Sequence, residues 1–329
     1  MSWSNKQVLV TGASGFIGSH LTEELVLLGA KVRALVHYNS RNHWGHLETL
    51  PAAIKQEIEI VLSDIQDPYA MPKAVAGCDV VFHLAALIAI PYSYRAPMSY
   101  VDTNVKGTLN IMQACLAQNV GKIVHTSTSE TYGTAIYTPI DERHPLQGQS
   151  PYSASKIGAD KIAESFWLSF DLPVATIRPF NTYGPRQSAR AVIPTIITQA
   201  LTRNEVHLGA LDPVRDLNFV KDTVAGFIKI AESDRSIGEV INIGFGQGIT
   251  IGDLATKIFK LLGREAKIVS DPARLRPPKS EVLKLICDNR KAKQLLNWQP
   301  NYTLDQGLEE TIAYVRENLD LYKSELYNL

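Results

Sequence analysis

Cysteine is scarce in this sequence. Three among 329 residues, Cys78, Cys115 and Cys287, share no CxxC spacing. So sparse and odd a set fits a reducing compartment rather than a disulfide framework. An excess of one charge is missing too, since Lys plus Arg and Asp plus Glu both number 33. A neutral chain offers no electrostatic footprint for nucleic acid or an anionic membrane, so an anionic ligand must be met by local cations. Long apolar runs are absent. The longest, Val80 to Ile90, is interrupted by His83 and ends at Pro91, short of the roughly 20 residues a membrane-spanning helix needs. The opening Met-Ser-Trp-Ser-Asn-Lys runs directly into a short apolar strand, with no signal-peptide core. We therefore expect a soluble, cytoplasmic protein with neither nucleic acid nor membrane as partner. His43 and His46 lie three apart, but no Cys or carboxylate cluster completes a ligand set, so no metal site is expected.

What is present is a rhythm. Short β-rich runs at 7–11, 31–36, 57–62, 80–84, 122–126 and 173–177 alternate with helical stretches at 16–28, 69–76, 98–118 and 152–169. That is the pattern of a parallel sheet covered by helices. Pro68, Pro97 and Pro151 stand just before three of these helices, where proline costs least. After Arg178 the rhythm breaks: 181–218 is rich in Pro, Arg and polar residues, and its helix, at about 193–202, no longer alternates with strands. A strand end and helix at 219–232 and a strand at 239–243 resume the pattern, and the tail from Thr250 reads as mainly helical. The expected fold class is α/β, a Rossmann-type doubly wound parallel sheet with a smaller, mainly helical substrate lobe. Residues 1–180, with 219–243 returning to them, would form the dinucleotide-binding domain. Residues 181–218 and 244–329 would form the second lobe, leaving a cleft between the two.

The first strand–helix junction reads Thr11-Gly12-Ala13-Ser14-Gly15-Phe16-Ile17-Gly18. Gly12 permits a tight turn, Gly15 lets the backbone approach a pyrophosphate, and Gly18 allows close helix–strand packing. The helix N-terminus supplies unpaired N–H groups. A glycine triplet alone could be only a tight turn; its place at the first junction favours dinucleotide binding. The second strand ends His37-Tyr38-Asn39-Ser40-Arg41 without the carboxylate that selects NAD. Arg41, with His37, could pair with a 2′-phosphate, which leans to NADP, although Arg41 also reads as a solvated loop residue. Asp64, after the third strand, is placed to meet the adenine amino group.

Tyr152 and Lys156 stand at i and i+4, on one helix face. A phenol with its usual pKa of about 10 is a poor base at neutral pH. An ammonium one turn away and a positively charged nicotinamide would both favour the phenolate. Alone, the pair also reads as a buried Tyr and an exposed Lys on an amphipathic helix. Upstream, the strand at 122–126 runs into Ser127-Thr128-Ser129-Glu130, and ligand sites in open α/β sheets lie off such strand ends. A turn cluster accounts for the Ser/Thr run, but not for a carboxylate at the mouth. Ser150 reads as the N-cap of the Tyr152 helix, with Pro151 at its first position.

TGASGFIGSH at 11–20, HLAA at 83–86, TSTSETYG at 126–133, YSASK at 152–156, RPFNTYGPRQ at 178–187 and RDLNFVKD at 215–222 together resemble the extended short-chain dehydrogenases, whose members act on nucleotide sugars. Within that family the stretch from TSTSETYG through Pro194 looks most like the 4,6-dehydratases of legionaminic-acid-type pathways, which act on a nucleotide-linked N-acetylglucosamine. The resemblance implies NAD(P)+ held by Gly12, Ser14, Gly15, Phe16, Ile17, Gly18, His37, Arg41, Asp64, Ile65, Leu84, Ala85 and Ala86, together with Tyr152 and Lys156. It implies a nucleotide-diphosphate sugar (UDP or GDP) met by Asn181, Arg186, Val192, Arg215 and Arg276, because guanidinium pairs well with phosphate. Thr128, Ser129, Glu130, Tyr152 and Lys156 would be catalytic, and Asn104 structural near the cofactor. Many family dehydratases carry an aspartate where this chain has Ser129; GDP-mannose dehydratases show a similar Thr-Ser-Glu. A 4-epimerase, a UDP-glucuronate decarboxylase and a 5,6-dehydratase on the same scaffold stay open, as does a non-catalytic dinucleotide sensor. The long helices at 98–118 and 152–169 pair across a dimer in this family, so a homodimer or larger homo-oligomer is expected.

Overall fold

The structure, a computed structural model, describes residues 2–322. Its first half is built from β1 (Gln7–Thr11), α1 (Phe16–Leu27), β2 (Lys31–Val36), α2 (Ala52–Lys55), β3 (Ile58–Leu62), α3 (Met71–Val75) and β4 (Val80–His83). Then come α4 (Ile90–Ser93), α5 (Pro97–Tyr100), α6 (Gly107–Ala117), β5 (Lys122–Thr126), α7 (Pro151–Phe170) and β6 (Val174–Pro179). The later elements are β7 (Asn181–Tyr183), α8 (Val192–Thr202), β8 (Glu205–Leu208), β9 (Val214–Phe219), α9 (Val220–Glu232) and β10 (Val240–Ile243). The chain ends with β11 (Gly248–Thr250), α10 (Ile251–Leu262), β12 (Lys267–Ser270), β13 (Lys284–Leu285), α11 (Arg290–Leu296) and α12 (Leu304–Glu317).

Seven strands form one sheet in the order β10-β6-β5-β4-β1-β2-β3, every neighbouring pair parallel. Strands buried on both faces read as continuous apolar runs, and β4 and β6 are buried along their whole length. Leu21 and Leu25 of α1 pack with Val224 and Phe227 of α9 on one face. Ala74, Ile111, Met112, Ala163 and Phe166 of α3, α6 and α7 cover the other. This is the expected doubly wound Rossmann-type α/β fold. Strand order reverses between β1 and β4, and a crevice opens off the carboxyl ends of strands at such a point. No helix among the described residues is long and apolar enough to cross a membrane.

Two sequence expectations are corrected. The segment 181–218 is not free of strands: β7, β8 and β9 lie in it. β9 pairs with β7, β11 and β13, and β8 pairs with β12. Their polarity is misleading because much of it is turned inward, where it serves the fold. Asp216, within β9, accepts the backbone N–H groups of Phe245, Gly246 and Cys287 at 2.8, 2.8 and 3.0 Å. The helix expected over 98–118 is likewise not uniform, since residues 101–106 widen into a π-helical turn between α5 and α6. Asn104, in that turn, grips the backbone N–H and C=O of Leu87 at 2.8 and 3.0 Å and donates to Ser155 Oγ at 2.9 Å.

Candidate active site

Gly12 leaves β1 at φ +70°, and a Cβ there would stand 2.8 Å from the backbone N of Ala85. Only glycine tolerates both the conformation and the contact. A Cβ on Gly18 would lie 2.1 Å from Gly12 O, so α1 can close onto the turn only with glycine there. Gly15 is the exposed N-cap of α1 and makes no side-chain cap bond, while Ser14, Phe16 and Ile17 flank it half-buried. This bare helix end beside Leu84, Ala85 and Ala86 fits a dinucleotide pyrophosphate.

A hydrogen-bonded chain fixes that turn. Thr11 Oγ1 accepts from the N–H groups of Leu84 and Ala85 at 3.1 and 3.0 Å and contacts His83 Nδ1 at 2.9 Å. On the other side His83 Nε2 meets Thr108 Oγ1 at 3.0 Å, and that hydroxyl donates to Asn104 O at 2.6 Å. Burial, then the neighbouring His125 and Lys156, hold His83 well below its ordinary pKa, so it is neutral. With Thr108 already donating, the network assigns the ring proton to Nε2 and makes Nδ1 the acceptor from Thr11. His83 stands within HLAA at 83–86, where nothing in its spacing discloses the partner at Thr108.

β5 delivers the second half of the site. Beyond it Thr128 caps a 3-10 turn over residues 129–132, its Oγ1 accepting from the N–H of Glu130 at 3.3 Å. Ser129 and Glu130 are buried. Tyr152 enters from the first turn of α7, which Ser150 and Ser153 close with a reciprocal capping box. Burial pushes the Tyr152 phenol well above its ordinary value. A hydrogen bond from Thr128 pulls the other way, while Glu130, Asp160 and Tyr100 push further up. Among the described residues, Lys156 makes no hydrogen bond to the phenol. Lys156 Nζ donates instead to Thr126 O at 2.6 Å, and its own pKa is drawn down to about 8 by burial, against the pull of Asp160.

Four charged groups meet across the mouth. Arg215 Nη2 pairs with Glu281 Oε1 at 3.0 Å, and Arg276 Nη1 stands 3.8 Å from the same oxygen and 3.9 Å from Glu130 Oε2. Nη1 of Arg276 is buried yet donates no hydrogen bond, and Asn181 Oδ1 is buried without a partner too. Such atoms ask for a ligand or water. Glu281, which the sequence did not single out, is found only by this convergence. Arg186 is tied to Glu23 of α1 at 2.7 Å instead of joining this group, and its Nη1 is also buried without a hydrogen bond. Val192 opens α8, half-buried. Beyond β2 Arg41 is exposed, and beyond β3 Ile65 is buried. His37 Nε2 lies 3.2 Å from Asp64 Oδ2, so a carboxylate does stand beside the second strand, brought from the third.

A family model described as GDP-mannose 4,6 dehydratase matches residues 9–311. The chain is 34% identical to the UDP-N-acetyl-alpha-D-glucosaminuronate decarboxylase of Bacillus cytotoxicus, covering 95% of this chain and 98% of that one. It is 32% identical to the UDP-glucose 4-epimerase of Mycolicibacterium smegmatis, covering 94% and 98%. Among solved structures it superimposes on the dTDP-glucose 4,6-dehydratase of Streptomyces venezuelae, solved with NAD bound, with a TM-score of 0.86 at 29% identity over 96% of this chain and 99% of that one. Glycine turn, Tyr152–Lys156 pair and buried Glu130 thus stand in a chain that belongs to the GDP-mannose 4,6 dehydratase family, among the NAD-dependent nucleotide-sugar dehydratases, epimerases and decarboxylases of the short-chain dehydrogenase class.

Proposed function

We propose that the protein is an NAD(P)-dependent 4,6-dehydratase of a nucleotide-linked N-acetylglucosamine. One observation carries the reading: Glu130 shares the pocket of Tyr152 through Thr128, which caps the turn bearing Glu130 and hydrogen-bonds the phenol. An epimerase that only oxidises and reduces C4 has no use for a buried carboxylate there. When bound, NAD(P)+ supplies a hydride acceptor for C4 and later a hydride donor for C6. Tyr152, as phenolate beside Lys156, takes the O4 proton while C4 becomes a ketone. That ketone acidifies C5–H, and Glu130 removes the proton. Glu130 then hands it to the C6 hydroxyl, oriented by Ser129, and water departs. C6 is reduced, C5 regains a proton from solvent, and the product is the 4-keto-6-deoxy sugar. Asn181, Arg186, Val192, Arg215 and Arg276 would hold the nucleotide diphosphate in a lobe made of residues 181–218 and 244–329. Support comes from the buried, unpartnered atoms of Asn181, Arg186 and Arg276. Arg41 is the cation that would favour NADP+, and comparing NAD+ with NADP+ binding in Arg41→Ala tests it. Exposed Met98, Leu168 and Phe170, at α5 and α7, support a homodimer through these helices, to be read by sedimentation.

A second reading rests on Arg276. Its guanidinium beside Glu130 would suit a C6 carboxylate, as a uronate decarboxylase requires. Incubation in deuterated water with UDP-GlcNAc, GDP-GlcNAc and UDP-glucuronate, followed by mass spectrometry, separates the two. Loss of water with deuterium at C5 supports the dehydratase. Loss of carbon dioxide from the uronate transfers the assignment to the decarboxylase, and C4 inversion alone sinks both.

A further inference from the structure

Behind Tyr152 and Lys156 lies a buried polar layer that the reaction above does not use. Asp160 follows Lys156 by one helical turn and is 6% exposed. His125 Nε2 meets its Oδ1 at 3.0 Å. Its other oxygen accepts from Ser127 Oγ at 2.5 Å and Arg178 Nη2 at 2.8 Å. Arg178 is fastened further, donating to Ser127 Oγ at 3.1 Å and Tyr132 OH at 2.8 Å. These partners come from β5, β6 and the turn after β5, so the carboxylate is held from three sides and cannot relax.

The charges in this layer are few. Lys156 is faced by Asp160 from its own helix, by His83 and His125 from β4 and β5, and by the Thr126 carbonyl. Tyr152 is faced by Thr128, Glu130 and Tyr100 as well as Asp160. Burial keeps His83 and His125 neutral. Asp160 is thus the one anion set against the two cations Lys156 and Arg178.

We propose that Asp160 is a positioning residue whose fixed charge, one helical turn from Lys156, acts on both Lys156 and Tyr152 and so sets the pH at which each of them exchanges its proton. This rests on Tyr152 as the proton-exchanging group, whichever sugar is the substrate. Asp160 favours the ammonium of Lys156 and disfavours the phenolate, so removing its charge makes both groups titrate at lower pH. Removing Arg178 takes away a cation and does the reverse.

The test needs no sugar. The tyrosinate absorbance of NAD+-saturated enzyme is titrated against the matching Tyr152→Phe protein, which cancels the other tyrosines. In Asp160→Asn the Tyr152 titration is expected to move acidward by about one pH unit, and in Arg178→Gln it is expected to move alkaline. Titrations that stay still while thermal stability falls would reduce Asp160 to a packing residue and overturn the proposal. Should Asp160→Asn fail to fold, Arg178→Gln alone decides on the same criterion. A dehydratase assay that fails leaves this titration intact. A titration with no Tyr152-dependent band overturns the proposal at its foundation, since Tyr152 would not be the group that ionises.

Discussion

Glu130 is the residue on which the chemistry divides. In Glu130→Gln the carboxylate is lost while Thr128, Tyr152 and Lys156 remain, so C4 oxidation should survive and elimination should not. Turnover is expected to fall by about 10²–10⁴-fold, with reduced cofactor accumulating as an absorbance that never returns. An unchanged product yield would remove Glu130 from the mechanism. Lys156 gives a second residue-scale expectation. With its pKa near 8, the ammonium that steadies the phenolate is present below that pH and disappears above it. The rate of cofactor reduction should therefore rise with pH only up to this region and level off above it, because the phenolate gained is offset by the ammonium lost. A stopped-flow pH series that climbs steadily to strongly alkaline values would contradict the assignment.

At the scale of elements, the glycine turn and the start of α7 position everything else. Gly18→Ala would drive a methyl into Gly12 O and push α1 off the turn, costing about 1–3 kcal/mol. Cofactor affinity by calorimetry should fall along with the melting temperature. Ser150→Ala opens the capping box and should cost about 1 kcal/mol, with Tyr152 less firmly placed. A variant that melts like the parent would show the cap to be idle. These elements were legible in the sequence because glycine spacing, capping residues and apolar rhythm act over a few neighbours. β7, β8 and β9 were not, because short strands dense in polar side chains look like loops, and the backbone groups that satisfy Asp216 lie far along the chain. Asp160 could have been found, since it repeats the spacing that joins Tyr152 to Lys156. The meeting of Arg276, Glu281 and Glu130 left no local trace, because it joins segments far apart in the chain.

On the scale of the whole molecule, the two halves of the chain are fastened by many polar ties, among them Tyr94 OH to Ser280 Oγ at 2.6 Å and Tyr132 OH to Asn242 Oδ1 at 2.8 Å. Arg186 to Glu23 is a further one, and His20 Nε2 to the Pro185 carbonyl at 3.0 Å is another. Glu23→Gln should loosen the 184–190 segment, raising KM for the nucleotide sugar while leaving cofactor affinity unchanged. Equal losses in both would show that α1 itself had shifted. The sheet's last strand adds a different constraint. β10 pairs with β6 only after α8, β8, β9 and α9 have intervened in the chain. A nascent protein that has emerged only as far as Phe180 therefore displays an open strand edge, the kind of surface that recruits other chains. The halves are not interchangeable cassettes. Anyone grafting a relative's sugar specificity onto this scaffold has to cut on both sides of residues 219–243, because a single crossover near residue 180 would take the closing strand of the sheet with it.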